Sequence, residues 1–205
     1  MRALPFLVAA LLAATAVPAL AQAAPPPGTP TPIRGTLEKL DGQTLVVKSR
    51  DGQDVAVALA PNYTVSGMAK RSLADIKPGD YVASTSVKGS DGKLHAVEVH
   101  IFPEAMRGAG EGQFAWDLVP DSLMTNATVT GVTEATKGET LKVAYKGRES
   151  EVIVGPDTPI VTYVEGDASL LKPGAAVFVF ALKQPDGRLT AARVTAEKDG
   201  VKPPM

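Results

Sequence analysis

The chain has no cysteine, two histidines and few aromatic residues (5%) among its 205 residues. Without thiols it forms neither disulfides nor zinc–thiolate sites, and it offers no cysteine nucleophile and no cysteine-linked lipid anchor. Its formal net charge is −1, so no overall field draws it toward nucleic acid or anionic lipid. Because single-stranded nucleic acid is bound by basic grooves lined with aromatic rings, we expect no nucleic-acid partner.

A long apolar run occurs only once, at the N terminus. Met1-Arg2 supplies a short positive segment, residues 3–20 are predominantly apolar, and Ala19-Leu20-Ala21 forms a small-x-small cleavage site. We predict that residues 1–21 are a signal peptide, cleaved before Gln22. The mature protein is then expected in the periplasm, soluble and without a membrane span. The alternative interpretation of this run is a membrane-spanning helix, for which its length is close to the minimum.

A pattern centred on Lys-Pro-Gly occurs twice in the chain. Lys77-Pro78-Gly79 is followed 95 residues later by Lys172-Pro173-Gly174, and the apolar residues around each triplet keep nearly the same offset. In this alignment Gly131 is the counterpart of Gly35. The spacing of apolar residues after the first triplet breaks strict alternation by one residue, which predicts a β-bulge near Val97-Glu98. We conclude that one module has been duplicated.

Each copy of the module reads as a series of short strands. Apolar residues alternate with polar ones over segments of five to eight positions, and the Asp-Gly and Pro-Gly pairs between these segments predict turns. A small sheet of this kind avoids open edges most easily by closing into a barrel. We therefore predict an all-β protein with two tandem small OB-like β-barrel modules, residues 33–102 and 127–198. A proline-rich, disordered tether (22–32) is expected before them, and a tail (199–205) after them.

One strand of the second copy is apolar at every position. Ala176–Leu182 contains Phe178 and Phe180 where the first copy has Ala83 and Thr85. A strand that is apolar on both faces is normally buried on both. We predict that the connector, the other module or a second chain covers this outer face.

The connector between the modules, residues 103–126, is rich in large apolar side chains, and we expect it to be ordered and packed against a barrel. It is longer than most loops of compact proteins, and it carries four acidic residues but only one basic residue. This segment and the adjoining barrel face are our candidate binding site. The candidate residues are Glu104, Met106, Arg107, Trp116 and Asp117.

Sites for chemistry are few. His95, His100 and Met106 form the one candidate metal site, because histidine and methionine suit copper in an exported protein. The alternative is that both histidines are solvated residues on a strand face. The glycine-rich stretch 108–112 lacks the strand-to-helix setting of a phosphate loop, and Glu111 would repel phosphate. No nucleophile motif is present, so we expect no enzymatic activity and no resident cofactor, a metal ion being the only candidate.

The repeat carries the pattern Gly35-x-Leu37, Asp41-Gly42-x-Thr44-Leu45 and Lys77-Pro78-Gly79-Asp80-x-Val82, and the run His100-Ile-Phe-Pro-Glu-Ala-Met-Arg-Gly108 leads into the connector. The repeat pattern resembles a bacterial family of exported small-barrel domains of unknown function. The connector run resembles that of a two-module proteobacterial subgroup whose members sometimes carry the label "metal ABC transporter permease". The resemblance implies the fold and an envelope location, and it supplies no activity or functional residues.

From the residues we predict a non-enzymatic binding or scaffolding protein with an envelope protein or small ligand as partner, and a periplasmic metal-binding protein as the alternative.

Overall fold

The computed structural model describes residues 28–135 and 138–204, and the predicted signal peptide and residues 22–27 lie outside these ranges. The described chain is almost entirely β-structure with three single-turn 3-10 helices (Leu73–Asp75, Glu104–Met106 and Ala168–Leu170). None of these helices is long or apolar enough to cross a membrane. The strands are β1 (Thr29–Asp41), β2 (Thr44–Ser49), β3 (Asp54–Arg71), β4 (Tyr81–Lys88), β5 (Leu94–Ile101), β6 (Gly112–Ala115), β7 (Leu123–Glu134), β8 (Glu139–Tyr145), β9 (Arg148–Val154), β10 (Ile160–Glu165), β11 (Ala176–Lys183) and β12 (Leu189–Ala196).

The strands close into two five-stranded barrels, which confirms the predicted all-β, small-barrel class. In the first barrel the meander β1-β2-β3 is closed by the hairpin β11-β12, with β12 parallel to β3 and β11 antiparallel to β1. In the second barrel the meander β7-β8-β9 is closed by β4-β5, with β5 parallel to β9. A three-stranded meander closed by a hairpin in this order is the OB-like arrangement. Each barrel encloses its own cluster of buried aliphatic side chains.

The two barrels exchange hairpins between the repeats. The chain leaves the first barrel after β3, builds β4 and β5 into the second barrel, and returns only at β11. The boundaries 33–102 and 127–198 therefore describe the repeat in the sequence, and each barrel takes three strands from one repeat and two from the other. The two repeats contain equivalent strands, so the sequence pattern specifies which strands pair with each other. It does not specify whether the paired strands come from the same repeat or from different repeats.

The two Lys-Pro-Gly loops dock the exchanged hairpins. Gly79 donates its backbone N–H to the carbonyl of Val129, and Gly174 donates to the carbonyl of Leu37, each at 2.8 Å. Val129 and Leu37 each donate their own N–H to the residue after that glycine, again at 2.8 Å. Both glycines have positive φ (96° and 89°), which fits the predicted structural role of the Pro-Gly pair.

This docking shows that the alignment of Gly35 with Gly131 is wrong. Leu37 and Val129 have the same role, so the structural counterpart of Gly35 is Ala127. Leu37 pairs with Val47 across β1 and β2, whereas Val129 pairs with a residue four positions further along, Val143. The extra residues lengthen the β7-β8 hairpin, where the sequence comparison lacked a landmark.

A seam between β3 and β10 joins the barrels into one sheet. Val161 pairs with Lys70, and Glu165 pairs with Ser66, in an antiparallel arrangement. Residues 66 and 161 are 95 positions apart, as are residues 70 and 165, so the repeat offset converts one pair into the other. β10 also runs parallel to β5. The seam is thus a local two-fold axis between the repeats.

Both ends of the described chain are part of the fold. Thr29–Pro32, expected within the tether, pair with β11 as the start of β1, which corrects that prediction. β2 pairs with β1 only from Gly35 onward, so the prolines occupy an edge where backbone N–H groups need no partner. In the predicted tail, Val201 closes a turn with Lys198, the last residue of the predicted second module, and Pro203 is buried.

Candidate binding surface

The connector is ordered and packed, as its apolar residues indicate. It contains the Glu104–Met106 helical turn and β6, which pairs with β7 from Leu123 to Asn126. Leu118 is buried and Trp116 is half-buried. β7 begins at Leu123, inside the predicted connector, so the last four connector residues belong to the second barrel.

Arg34 of β1 holds the connector to the first barrel. Its side chain is buried (5% exposed), and its Nη1 donates to both carboxylate oxygens of Asp117 at 2.8 and 2.7 Å. Its guanidinium lies 5.1 Å from the ring centroid of Trp116 and 4.7 Å from that of Phe178. A guanidinium between two aromatic faces gains cation–π attraction in addition to the ion pair.

Arg50, in the turn after β2, holds the backbone of the same connector segment. Its Nη1 donates to the carbonyl of Leu118 and its Nη2 to the carbonyl of Asp117, both at 2.9 Å. The segment Trp116–Leu118 is therefore fixed to the first barrel by its ring, its carboxylate and its main chain. We call this segment the strap.

Asn126 holds the other end of the connector to the second barrel. It is the structural counterpart of Arg34, and its Nδ2 donates to the carbonyls of Ala109 and Gly110 at 3.1 and 3.2 Å. The hydroxyl of Tyr81 also donates to Ala109, at 3.2 Å. Glu111 accepts the backbone N–H of Lys146 at 2.7 Å. The glycine-rich stretch is thus a tight, fastened loop.

The five candidate binding residues form two separate groups. Glu104 pairs with Arg107 at 2.6 Å, and Arg107 also donates to the carbonyl of Gly79 at 2.9 Å. The hydrogen bond from Arg107 lowers the pKa of Glu104. Met106 lies between them, at the end of the same helical turn. Within the described ranges, no hydrogen bond or ion pair links this group to Trp116 and Asp117.

An aromatic surface surrounds Arg34. Phe178 is half-buried against the guanidinium of Arg34, but Phe180, two residues further along the same strand, is 47% exposed. Neither the connector nor the other barrel covers Phe180 within the described ranges, so these two parts of the expectation are wrong for it, and cover by a second chain stays a prediction. Phe114, 40% exposed, meets Trp116 edge to face at 6.1 Å. Phe114 and Phe180 are the exposed large apolar side chains of the described residues.

The two histidines have different environments and separate partners. His95 is partly exposed, and its Nε2 lies 3.1 Å from Asp91. His100 is buried and lies 3.2 Å from Glu98, so the interpretation as a solvated strand-face residue is wrong for it. The predicted bulge is present, with Thr85 opposite Glu98 and Ser86 opposite Ala96. No set of three or more His, Asp or Glu side chains in the described ranges is arranged to hold a metal ion.

Glu98 forms a buried polar cluster where the barrels meet. It is 3% exposed, accepts a hydrogen bond from Thr85 at 2.6 Å and pairs with His100. Burial raises the pKa of Glu98, but His100, Thr85 and the charge of Arg34 outweigh burial and lower it overall. Burial and the Glu98 charge raise the pKa of Tyr163 to about 12. The ring of Tyr163 continues the cluster against His100 at 5.5 Å.

Replacement of Glu98 by glutamine should destabilise the protein by about 3 kcal/mol at pH 7, because it removes a buried carboxylate that accepts a hydrogen bond from Thr85 and lies within hydrogen-bond distance of His100. Since the folded-state pKa of Glu98 lies below its usual 4.5, its contribution is present above that value and is lost as pH falls through the folded-state pKa. The difference between variant and wild type should therefore shrink in acid. Urea denaturation from pH 7 to pH 3 measures it. Glu151→Gln, at an exposed pair with Lys142, is the matched control and should change stability little. An equal effect of the two variants would contradict the assignment.

Sequence reasoning missed the two charged residues that organise these sites, Arg34 and Glu98. Arg34 lies between Ile33 and Gly35. Because of the four-residue shift between the repeats, the sequence alignment does not pair it with its structural counterpart, Asn126. A usable signal was nevertheless present. A charged side chain that directly follows an apolar one within a strand, as Arg34 follows Ile33 and Glu98 follows Val97, can be buried and then predicts a specific partner, because a buried charge is rarely left unpaired.

Residues 128–195 match the family described as "Domain of unknown function (DUF5666)". The matched segment is one sequence repeat. It supplies β8, β9 and most of β7 to the second barrel, β10 to the seam, and β11 and nearly all of β12 to the first barrel. The structure thus divides this domain between two barrels. No curated protein and no solved structure matches the chain.

Proposed function

We propose that the protein is an exported, non-enzymatic binding or scaffolding protein of the bacterial envelope, whose partner is an envelope protein or a small ligand. The observation that carries the proposal is the aromatic surface around Arg34. Clustered exposed apolar side chains on a folded chain are typical of interaction sites. Aromatic residues and arginine are also the residue types that dominate binding energy at protein interfaces.

Export is supported by the sequence of residues 1–21, and we propose the periplasm as the location. The absence of cysteine suits a chain that folds outside the cytoplasm without disulfide formation. Glu104, Met106 and Arg107 belong to the proposed surface as a second patch beside the Lys77-Pro78-Gly79 loop, since Arg107 contacts Gly79 directly.

The test uses point variants, because deletion of residues 103–126 would remove β6 and the anchors of both barrels. Phe114→Ser combined with Phe180→Ser should abolish capture of the specific partner from an envelope extract, as quantified by mass spectrometry. The fold should be retained, because both side chains are exposed. Glu38→Ser combined with Glu149→Ser, at two other exposed strand positions, is the matched control and should capture the wild-type set. Identical captured sets for all three proteins would remove the aromatic surface from the proposal.

A further inference from the structure

The strap lies on the first barrel in the way that a bound peptide lies on its receptor. Trp116 supplies a stacked ring, Asp117 a carboxylate and Leu118 a buried aliphatic side chain. Residues 117–119 are bent, and Arg50 donates to two consecutive main-chain carbonyls of this segment, a contact that recognises the main chain of a bent peptide rather than a free anion.

The seat beneath the strap belongs to the first barrel alone. Arg34 comes from β1, Arg50 from the β2-β3 turn, and Phe178 from β11. Phe180, two residues after Phe178 on the same strand, is exposed. The barrel surface that continues from the seat along β11 therefore offers a further aromatic side chain.

The strap does not use every donor of the seat. Both oxygens of Asp117 accept from the same nitrogen, Nη1 of Arg34, while the Nε of Arg34 is buried and has no hydrogen-bond partner among the described residues. On the strap itself, the Nε1 of Trp116 is also buried, with no acceptor in the part of the chain that the structure describes. A carboxylate that engaged the guanidinium through two nitrogens would use the donor that Asp117 leaves free.

We propose that this seat binds a peptide segment of a partner protein in which an aromatic residue directly precedes an acidic residue, and that the strap occupies the seat until such a peptide displaces it. This inference rests on the proposed binding function and names the chemical class of its partner. The strap competes at a high effective concentration because it is part of the same chain. Free peptide should therefore bind the wild type weakly and a chain with a disabled strap strongly.

The experiment uses the full mature chain with Trp116→Ala and Asp117→Ala, and a fluorescein-labelled peptide with the sequence of Gln113–Val119. Fluorescence anisotropy should show saturable binding at least tenfold tighter than to the wild type. Peptides with asparagine in place of the aspartate, or alanine in place of the tryptophan, should each bind at least tenfold more weakly. Addition of Arg34→Gln to the strap variant should abolish the binding.

The proposal is overturned if no saturable binding occurs, or if binding is independent of Arg34. It is also overturned if the strap variant ignores the peptide but captures wild-type chains, since the occupant would then be a second copy. Circular dichroism checks the fold of the strap variant. The single variant Asp117→Asn keeps the ring of Trp116 in place and therefore opens the seat with a smaller change to the strap. Loss of envelope capture by the Phe114 and Phe180 variant would still support the broader function if the peptide experiment failed.

Discussion

A chain cut in the connector between Pro120 and Asp121 should remain a single particle and should not exchange its halves until the barrels unfold. Both residues are exposed, so a protease recognition site inserted there is accessible. After cleavage the N-terminal part holds β1 to β6 and the C-terminal part holds β7 to β12. Each barrel needs strands from both parts, so neither part contains a complete barrel.

The measurement is exchange between tagged and untagged cut protein. Mixed overnight in native buffer, the two populations should stay unmixed, because exchange requires breaking both β11–β1 and β4–β7 pairings together with both cores. Mixing after denaturation and refolding should scramble them. The uncut insertion variant is the control and should behave as the wild type. Free exchange in native buffer would show that each repeat folds by itself and would contradict the hairpin exchange.

Replacement of Gly35 by alanine should destabilise the protein by about 3 kcal/mol, because the added Cβ has no space. It would overlap the backbone carbonyl of Lys48 and lie 2.8 Å from Cγ1 of Val47. β1 is flanked on both sides at this residue, with Ser49 of β2 on one side and Val177 of β11 on the other. A backbone neighbour in a closed barrel cannot move aside as a flexible side chain can.

Gly131→Ala is the matched control, a glycine in the first strand of the other meander. Its added Cβ would meet only the Lys142 side chain, at 3.8 Å, so we expect a change within about 1 kcal/mol, including a small gain from the stiffer unfolded chain. Urea unfolding of both variants provides the comparison. Equal losses for the two variants would show that the difference in space around these residues is not what sets stability.

Much of the fold could be predicted from the sequence, because it is encoded in local patterns. Alternating apolar residues and Asp-Gly turns specify strands and hairpins, and the spacing before Val99 located the bulge at Val97. The apolar connector residues indicated an ordered segment, and Leu118 and Trp116 do pack. These features depend on residues close together in the chain, so the pattern contains the required information.

What the sequence could not reveal depends on contacts between distant residues. The choice between self-closure and exchange depends on where Gly79 and Gly174 dock, and both repeats present the same partners. The extra residues before Gly138 shifted the alignment of Gly35. Phe180 is exposed although its strand is apolar from Ala176 to Leu182, and nothing within that strand distinguishes Phe180 from the buried residues beside it. Arg34 and Glu98 became recognisable only once their partners from other strands were in place.

The first barrel contains both the first and the last strand of the described chain, β1 and β12. On any route that delivers the polypeptide from its N terminus, β1 to β3 must wait without their closing hairpin until Ala196 has emerged. All strands of the second barrel lie between Tyr81 and Val154, so it can close earlier. Assembly is therefore ordered. The second barrel closes first, and the first barrel, which contains the terminal strands, closes after it.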